Sequence, residues 1–448
     1  MCDVAPAETP GRTFSAMAAH EPRQFLVHLY EAAIRAADPR AATRQAVDAI
    51  DDLTPTVLVI AVGKGAHAMA SGAVDALHSR GIQVANGLVV SHESAAVTHG
   101  LEALVADHPV PGDRSFAAAD RLAQVASHSD QGSDAIVLVS GGATSLIAAP
   151  IDRLQPNVLG ATFDALLASG ADITLMNAVR KRLLRFGGGR LATMLNSRRV
   201  HCLVASDVIG NDVSAIASGP CVPDSLTARD TRERARAAGI WNALPDATRT
   251  IIDAMVEGRI DDTPRADHPR FASTTTRVIL DRQAAAGGAQ RAALDAGAMV
   301  EVVDNPLFGE AAVAGSRIAQ HVLSQRRIDK SACTIWTGET TVMLDARSGR
   351  GGRCQELALA CAMTLDSADG ITILAAGTDG RDGPTDAAGA IIDGSTCSAM
   401  RDRGIDPSTT LLRHDSYNAL DSVGALLKTG STGTNVNDIV ISLVSPRP

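Results

Sequence analysis

One unit recurs along this chain and limits what it can fold into: an apolar, β-branched run, then a polar or glycine-rich turn, then a helical stretch. Its first copy is Thr56–Val62, followed by Gly63-Lys64-Gly65 and a helical pattern over 66–79. Continuous apolar runs of this kind are typical of buried strands in parallel sheets. Further runs that lead into polar turns are 135–139, 200–205, 334–336 and 371–376. The pattern predicts an α/β fold with a parallel or mixed sheet in each domain.

Chain length and one irregular stretch predict the domain layout. At about 100–200 residues per domain, 448 residues correspond to two or three domains. Residues 261–273 combine prolines with charges and have the least regular pattern, so we place the junction there. The N-terminal domain is then 20–268 and the C-terminal domain 269–448. Residues 1–19 lack an apolar core region, which predicts a disordered leader rather than a signal peptide.

Composition excludes several classes of protein. With 45% hydrophobic and 20% charged residues, the chain is not disordered over most of its length. A net charge of −9 and 2% aromatic residues argue against a nucleic-acid partner. The 7 cysteines are scattered without a C-x-x-C pair, which favours a reduced, cytoplasmic compartment over disulfides or a zinc cluster. No apolar run reaches the roughly 18 residues of a membrane span, so we predict a soluble protein without a membrane partner.

The turn Gly63-Lys64-Gly65 is a candidate anion site. Ligands of open α/β sheets bind beyond the carboxyl ends of the strands, where this turn lies. Glycines let backbone N–H groups approach an anion, and Lys64 adds a full positive charge. The spacing is not that of a P-loop. A tight turn with a surface lysine is the alternative.

A second strand end carries the loop Ser140-Gly141-Gly142-Ala143-Thr144-Ser145. Its backbone N–H groups and three hydroxyls suit a phosphate or a carboxylate. The loop lacks the G-x-S-x-G spacing of a nucleophile elbow. An N-capped turn without a ligand is the alternative.

Carboxylates follow three other strands, at Asp207, Glu339 and Asp379. Magnesium commonly binds one or two carboxylates together with substrate phosphates, so these residues are candidate metal ligands. Each acid alone is equally explained as a turn or helix cap.

Two glycines precede Arg353 and Gln355 at the start of another predicted helix. An arginine at a helix entrance can clamp a phosphate or carboxylate through two hydrogen bonds. An exposed arginine without a ligand is the alternative. Histidines such as His67, His92 and His108 lack metal-ligand spacing and are predicted to be turn or packing residues.

These candidates share one chemistry. A lysine, an arginine, several carboxylates and glycine loops occur without an activated nucleophile, and no Ser-His-Asp set is identifiable from spacing. Phosphoryl transfer needs this combination, because positioning and charge neutralisation supply most of the catalysis.

With these residues in view, the chain resembles the class II glycerate 2-kinases, whose C-terminal part is the MOFRL domain and which older descriptions often call hydroxypyruvate reductases. The resemblance spans about 23–444. The motifs that carry it are 62–66, 108–111, 140–142, 206–212, 216–220, 222–224, 351–356, 377–389 and 432–438.

The resemblance implies an enzyme of carbohydrate metabolism that uses ATP and Mg2+ to phosphorylate D-glycerate, a small-molecule substrate, at its 2-hydroxyl. It implies a larger Rossmann-like N-terminal domain, a smaller α/β C-terminal domain and an active site in the cleft between them. The matching catalytic residues are Lys64, Asp207 and Arg353. We assign substrate or nucleotide binding to Gly63, Gly65, Ser140, Gly141, Gly142, Thr144, Ser145, Asn211, Asp212, Gln355 and Thr378, and metal binding to Asp207, Glu339 and Asp379.

The chain departs from the family pattern close to these residues. The replacements are Ala143 for glycine, Arg182 for histidine, Leu184 for serine, Gly187 for lysine and Cys354 for asparagine. Alanine takes a positive φ less readily than glycine. The lost lysine removes one positive charge, for which Arg182 or Arg185 could compensate. These replacements bear on the identity of the acceptor more than on the fold. A related hydroxy acid is therefore an alternative substrate.

Two further functions stay open. An NAD(P)H-dependent hydroxypyruvate reductase needs a dinucleotide fingerprint. Ala68 stands at the third glycine position, where the fingerprint allows alanine, but a lysine inside the turn is unusual for it. No acidic residue clearly ends a second strand at the right distance. The other alternative is a binding or regulatory protein that has lost turnover, against which the presence of Lys64, Asp207 and Arg353 argues.

Overall fold

The computed structural model describes residues 21–94, 100–151, 154–325, 331–345 and 348–445. The predicted leader, 1–19, lies outside the described residues. The chain divides into two units. We call residues 38–281 and 433–435 the first unit, and the remaining residues the second unit. Among the described residues, no helix has the length and apolar character to cross a membrane.

The division differs from the predicted domains at both ends. Helix α1 (Pro22–Ala36) belongs to the second unit, where the hydroxyl of Tyr30 donates a 2.8 Å hydrogen bond to the carbonyl of Gly377. The junction lies at 281/282 rather than at 268/269. The proline-containing stretch precedes the last strand of the first sheet, Thr274–Leu280, which pairs with Val200–Ala205. The irregular stretch 261–273 is therefore a connection inside the first unit and not the boundary between the units.

The first unit contains a parallel sheet with six strands in the order β3-β2-β1-β4-β5-β6. The strands are β1 (Thr56–Val62), β2 (Gln83–Ser91), β3 (Glu102–Val105), β4 (Asp134–Val139), β5 (Val200–Ala205) and β6 (Thr274–Leu280). This is the strand order of the Rossmann fold, so the predicted fold is confirmed. The order reverses between β1 and β4, and ligands of such sheets bind at the carboxyl ends of the strands at this point.

Helices cover this sheet and form a separate layer beside it. They are α2 (Pro39–Asp48), α3 (Ala66–Ser79), α4 (Asp113–Ser127), α5 (Ala143–Leu146), α6 (Pro156–Ala168), α7 (Ile173–Leu183), α8 (Arg190–Met194), α9 (Ala228–Ala237) and α10 (Asp246–Val256). In the core, Ile60 and Val137 of the sheet join Leu122 of α4 and Leu191 of α8. A second apolar cluster joins α6, α7, α9 and α10.

The second unit contains a mixed sheet with six strands in the order β11-β10-β9-β12-β8-β7. Its strands are β7 (Met299–Val302), β8 (Ala332–Gly338), β9 (Ile371–Gly377), β10 (Gly389–Asp393), β11 (Leu426–Leu427) and β12 (Asp438–Val444). Besides α1, its helices are α11 (Arg282–Asp295), α12 (Ala311–Ser324), α13 (Arg353–Thr364), α14 (Thr396–Arg401), α15 (Pro407–Leu412) and α16 (Ser416–Ser422). β12 pairs antiparallel with both β8 and β9, whereas β7 and β8 are parallel.

Candidate active site

The carboxyl ends of β1 and β4 bring the two predicted anion loops together. The N–H of Lys64 donates to the carbonyl of Gly141 at 2.9 Å, and the N–H of Gly65 donates to Ser140 Oγ at 3.0 Å. These bonds form because β1 and β4 are neighbours in the sheet, with Val62 opposite Val139. The lysine turn and the serine–glycine loop are therefore one structural element.

Glycine is required at two positions of this element. Gly63 has a φ of +132°, and a Cβ there would lie 2.1 Å from Ser140 Oγ. A Cβ on Gly141 would lie 2.0 Å from Asp207 Oδ2. A side chain at either position would separate the loops or displace the carboxylate, so both glycines allow a close approach of the backbone.

Asp207 follows β5, and its carboxylate lies against Gly141 in the wall of a pocket of about 330 Å³. The amide Nδ2 of Asn435 lies 3.5 Å from Asp207 Oδ2 and donates to it. The pocket lining includes the segment 141–145, Asp207, Phe163, Arg180 and Pro109. We call this cavity the first-unit pocket. It combines backbone donors, a carboxylate and a cation in one place.

Arg180 is the cation of this pocket, and sequence reasoning did not identify it. Its guanidinium lies 4.9 Å from the centre of the Phe163 ring. Its Nε is buried without a hydrogen-bond partner, and burial lowers the pKa of the side chain. Three consecutive basic residues end α7, and sequence alone does not tell which of them faces a cavity.

In the second unit, Arg353 is held by two carboxylates. Its Nε and Nη2 donate to Asp438 at 2.6 and 2.9 Å, and its Nη1 lies 2.7 Å from Glu339. Burial lowers the pKa of Arg353, but the hydrogen bonds and charge of Asp438 outweigh this, and the pKa lies above its ordinary value. An incoming anion must compete with Glu339 for the Nη1 edge.

Comparison with known proteins identifies the family. One family model, described as a domain of unknown function (DUF4147), matches 25–253, and the MOFRL family model matches 332–438. A glycerate 2-kinase of Pyrococcus horikoshii is 34% identical over 96% of this chain and 99% of its own length. The chain belongs to the class II glycerate 2-kinase (MOFRL) family. A D-glycerate 2-kinase of Thermotoga maritima is also 34% identical, over 94% of this chain and 98% of its own length.

Solved structures of this family have the same fold. A crystal structure of glycerate kinase from Thermotoga maritima superposes with a TM-score of 0.83, covering 94% of this chain and 99% of its own. A Pyrococcus horikoshii protein superposes with a TM-score of 0.79, at 33% identity and 96% and 100% coverage. A relative from Agrobacterium vitis, 38% identical over 94% of both chains, carries the name "Putative hydroxypyruvate reductase".

Of the departures from the family pattern, Arg182 has an unexpected role. Its side chain is 0% exposed, and it pairs with Asp224 at 3.2 Å and Asp262 at 3.1 Å. Arg185 pairs with Asp120 at 2.6 Å. Each guanidinium already has a carboxylate partner, so the structure does not support the expectation that one of them compensates for the lysine that Gly187 replaces.

Other predicted binding residues divide by location. Thr144 and Ser145 line the first-unit pocket. Asn211 donates to Asp281 at 2.5 Å, and Asp212 accepts the N–H of Ser214 at 2.9 Å. Neither Asn211 nor Asp212 is part of the described pocket lining, and both stabilise the turn after β5.

Two predicted residues of the second unit are buried. The Thr378 hydroxyl donates to the carbonyl of Asn437 at 2.6 Å, which joins the loops after β9 and before β12. The N–H of Gln355 donates to Asp382 at 2.8 Å at the start of α13. In this structure both residues therefore stabilise the unit that holds Arg353.

The carboxylates predicted to bind magnesium belong to different units, Asp207 to the first and Glu339 and Asp379 to the second. Among the residues that the structure describes, no group of three or more His, Cys, Asp or Glu side chains is placed to hold a metal ion. Glu339 pairs with Arg353, and Asp379 accepts the N–H of Arg381 at 3.0 Å. Asp207 lines the first-unit pocket together with the glycine loop, and a single carboxylate in such a place fits a magnesium ion whose other ligands are substrate phosphates and water.

His108 lies against the glycine loop and is a neutral group in a cationic setting. A Cβ on Gly142 would lie 2.8 Å from its Nε2. Burial, the charge of Lys64 and the neighbouring His92 lower its pKa to about 4. The sequence analysis predicted a turn or packing residue and did not place His108 at the glycine loop. That loop lies more than thirty residues away along the chain.

We expect His108 to remain neutral until the pH falls to about 4. As the pH falls below 6.5, the unfolded chain takes up this proton before the folded chain. The stability that neutral His108 contributes is therefore present above pH 6.5 and is lost as the pH falls towards 4. An NMR titration of the histidine rings measures the pKa, with the resonance missing in His108→Asn giving the assignment. A midpoint near 6.5 for that resonance contradicts the expectation.

Proposed function

We propose that this chain is an ATP-dependent glycerate 2-kinase, which transfers the γ-phosphoryl group of ATP to the 2-hydroxyl of D-glycerate and gives 2-phosphoglycerate and ADP. The observation that carries the proposal is the first-unit pocket, where Asp207 and Arg180 lie with the glycine loop that the Lys64 turn contacts. The relatives from Pyrococcus horikoshii and Thermotoga maritima, named for glycerate, support this acceptor.

In this proposal the candidate catalytic and binding residues have separate roles. Asp207 orients the 2-hydroxyl and accepts its proton while the hydroxyl oxygen attacks the γ-phosphorus and the bond to the β-phosphate oxygen breaks. Lys64 neutralises the charge on the transferred group, and backbone N–H groups of Gly141 and Gly142 cradle phosphate oxygens. Arg353 neutralises phosphate charge and helps to hold the substrate once an anion replaces Glu339 at its Nη1 edge.

Magnesium, when bound, would neutralise charge on the ATP phosphates. Asp207 would be the first-unit carboxylate that holds it, because it lines the pocket together with the glycine loop that we assign to phosphate. Glu339 and Asp379 remain the further candidates in the second unit. The cytoplasmic location also stays a prediction, and the six described cysteines are all free, as a reduced compartment favours.

A hydroxypyruvate reductase is the second candidate, and two observations favour it. The Agrobacterium vitis relative carries that name. Glu93 also lies two residues beyond β2, near the position where an acidic residue of dinucleotide-binding folds contacts a ribose. Against this candidate, Lys64 occupies the turn, whereas Ala68 at the third glycine position is compatible with the fingerprint, which allows alanine there.

An assay of coupled ADP release tests the proposal. The purified chain is mixed with ATP, Mg2+ and a panel of three- and four-carbon hydroxy acids that includes both enantiomers of glycerate. We expect ADP release that depends on D-glycerate and exceeds release without an acceptor. If another hydroxy acid is turned over faster than D-glycerate, that acid is the acceptor. NADH oxidation with hydroxypyruvate and no ADP release would show that the enzyme is a reductase and not a kinase. Binding of glycerate or ATP in calorimetry without either reaction would indicate a binding protein.

A further inference from the structure

We propose that Arg180 binds the carboxylate of the acceptor and makes the enzyme select an acid over a neutral polyol. This inference rests on the proposed function and adds a specificity residue that the sequence analysis did not assign. It rests on two observations: no carboxylate among the described residues pairs with Arg180, and the pocket that Arg180 lines suits a small hydroxy acid.

Arg180 differs from the arginines around it in its ion-pair and hydrogen-bond partners. Arg182 and Arg185 pair with carboxylates, and Arg190 donates to the carbonyl of Lys181 at 2.8 Å. In the part of the chain that the structure describes, no carboxylate pairs with Arg180, and its Nε is buried without a partner. A partly desolvated cation of this kind is stabilised by an anion that enters the pocket.

Phe163 gives this arginine a defined orientation. The guanidinium lies 4.9 Å from the centre of the ring, within the range of a cation–π contact. Such a contact holds the guanidinium beside the ring, and its N–H groups that do not meet the ring can donate to a ligand in the pocket. Two parallel N–H donors at one edge match the two oxygens of a carboxylate, which a lysine at the same position cannot reproduce.

The composition of the pocket favours the carboxylate of the acceptor over the phosphates of ATP. A pocket of about 330 Å³ is at the lower end of the range for small-molecule sites and suits a three-carbon acid. Asp207 lines the same pocket and repels an anion but accepts a hydroxyl proton. In glycerate the 2-hydroxyl lies on the carbon next to the carboxylate, so one small molecule satisfies Arg180 and Asp207 together.

Steady-state kinetics of Arg180→Gln and Arg180→Lys test this role. In Arg180→Gln we expect the KM for D-glycerate to rise about 10- to 100-fold, because the variant loses a charge-assisted hydrogen bond to the carboxylate. The KM for ATP should change less than about twofold. Arg180→Lys restores part of the affinity, because it keeps the charge without the paired donors. The ratio of kcat/KM for D-glycerate to that for glycerol falls in Arg180→Gln.

Arg236→Gln is the matched control, because it removes another arginine that lies over an aromatic ring, 5.4 Å from the centre of Trp241. It should leave both KM values unchanged. An increase in the KM for ATP alone in Arg180→Gln assigns Arg180 to phosphate and overturns the inference, as does an unchanged KM for D-glycerate. The wild type separates the two proposals: active wild type with a normal Arg180→Gln contradicts this inference only, whereas no glycerate-dependent ADP release from the wild type contradicts both.

Discussion

Lys64→Ala is expected to lower kcat about 10²- to 10³-fold and to leave the fold intact. The side chain supplies a full positive charge beside the loop that we assign to phosphate, and charge neutralisation dominates phosphoryl transfer. The backbone N–H of Lys64, which donates to Gly141, remains in the variant, so the loop geometry is kept. Turnover by the coupled assay and thermal unfolding are measured on the same preparation.

Lys428→Ala is the control for Lys64→Ala. Lys428 lies in the second unit, is 42% exposed and pairs with Asp386 and Asp421, so its loss should not change kcat. Near-normal turnover in Lys64→Ala, with an unchanged melting temperature, would falsify the catalytic role of Lys64.

Asp207→Asn is expected to lower kcat about 10²- to 10⁴-fold, which is the usual contribution of a general base. Asparagine keeps nearly the same shape beside Gly141 and can still bond to Asn435, so the pocket geometry is retained. It cannot accept the proton of the hydroxyl. The KM values for ATP and D-glycerate should change little, whereas a purely structural role would raise them as kcat falls.

Asp120→Asn is the matched control for Asp207→Asn, since the carboxylate of Asp120 is 64% exposed and pairs only with Arg185 among the described residues. We expect it to keep the wild-type rate and pH profile. If Asp207→Asn instead recovers its rate at raised Mg2+ concentration, the carboxylate acts by holding the metal rather than by accepting the proton.

The strands that could be predicted are those with continuous apolar runs. β1, β4 and β5 are buried almost throughout, so apart from His201 in β5 their polar residues lie only at their first positions. β2 was missed because its first four residues are largely exposed, and β3 because it has only four residues, none of them fully buried. The order of the strands was not predicted, since it depends on contacts between distant segments.

The site could be predicted only in part, for a similar reason. Lys64, the Ser140 loop and Asp207 follow strands, and the ends of parallel strands meet in any open α/β sheet. Arg180 was missed because its role depends on which face of α7 lies towards the pocket. The pairing of Arg353 with Asp438 was missed because Asp438 is 85 residues away along the chain.

Phosphorus NMR of the reaction product tests the central claim most directly. After incubation with ATP, Mg2+ and D-glycerate, the account predicts a new phosphate ester signal split into a doublet by the single proton on carbon 2 of 2-phosphoglycerate. A triplet, produced by the two protons on carbon 3, would place the phosphate on the other hydroxyl and contradict the proposed geometry. Inorganic phosphate as the sole new signal besides ADP would contradict transfer to glycerate altogether.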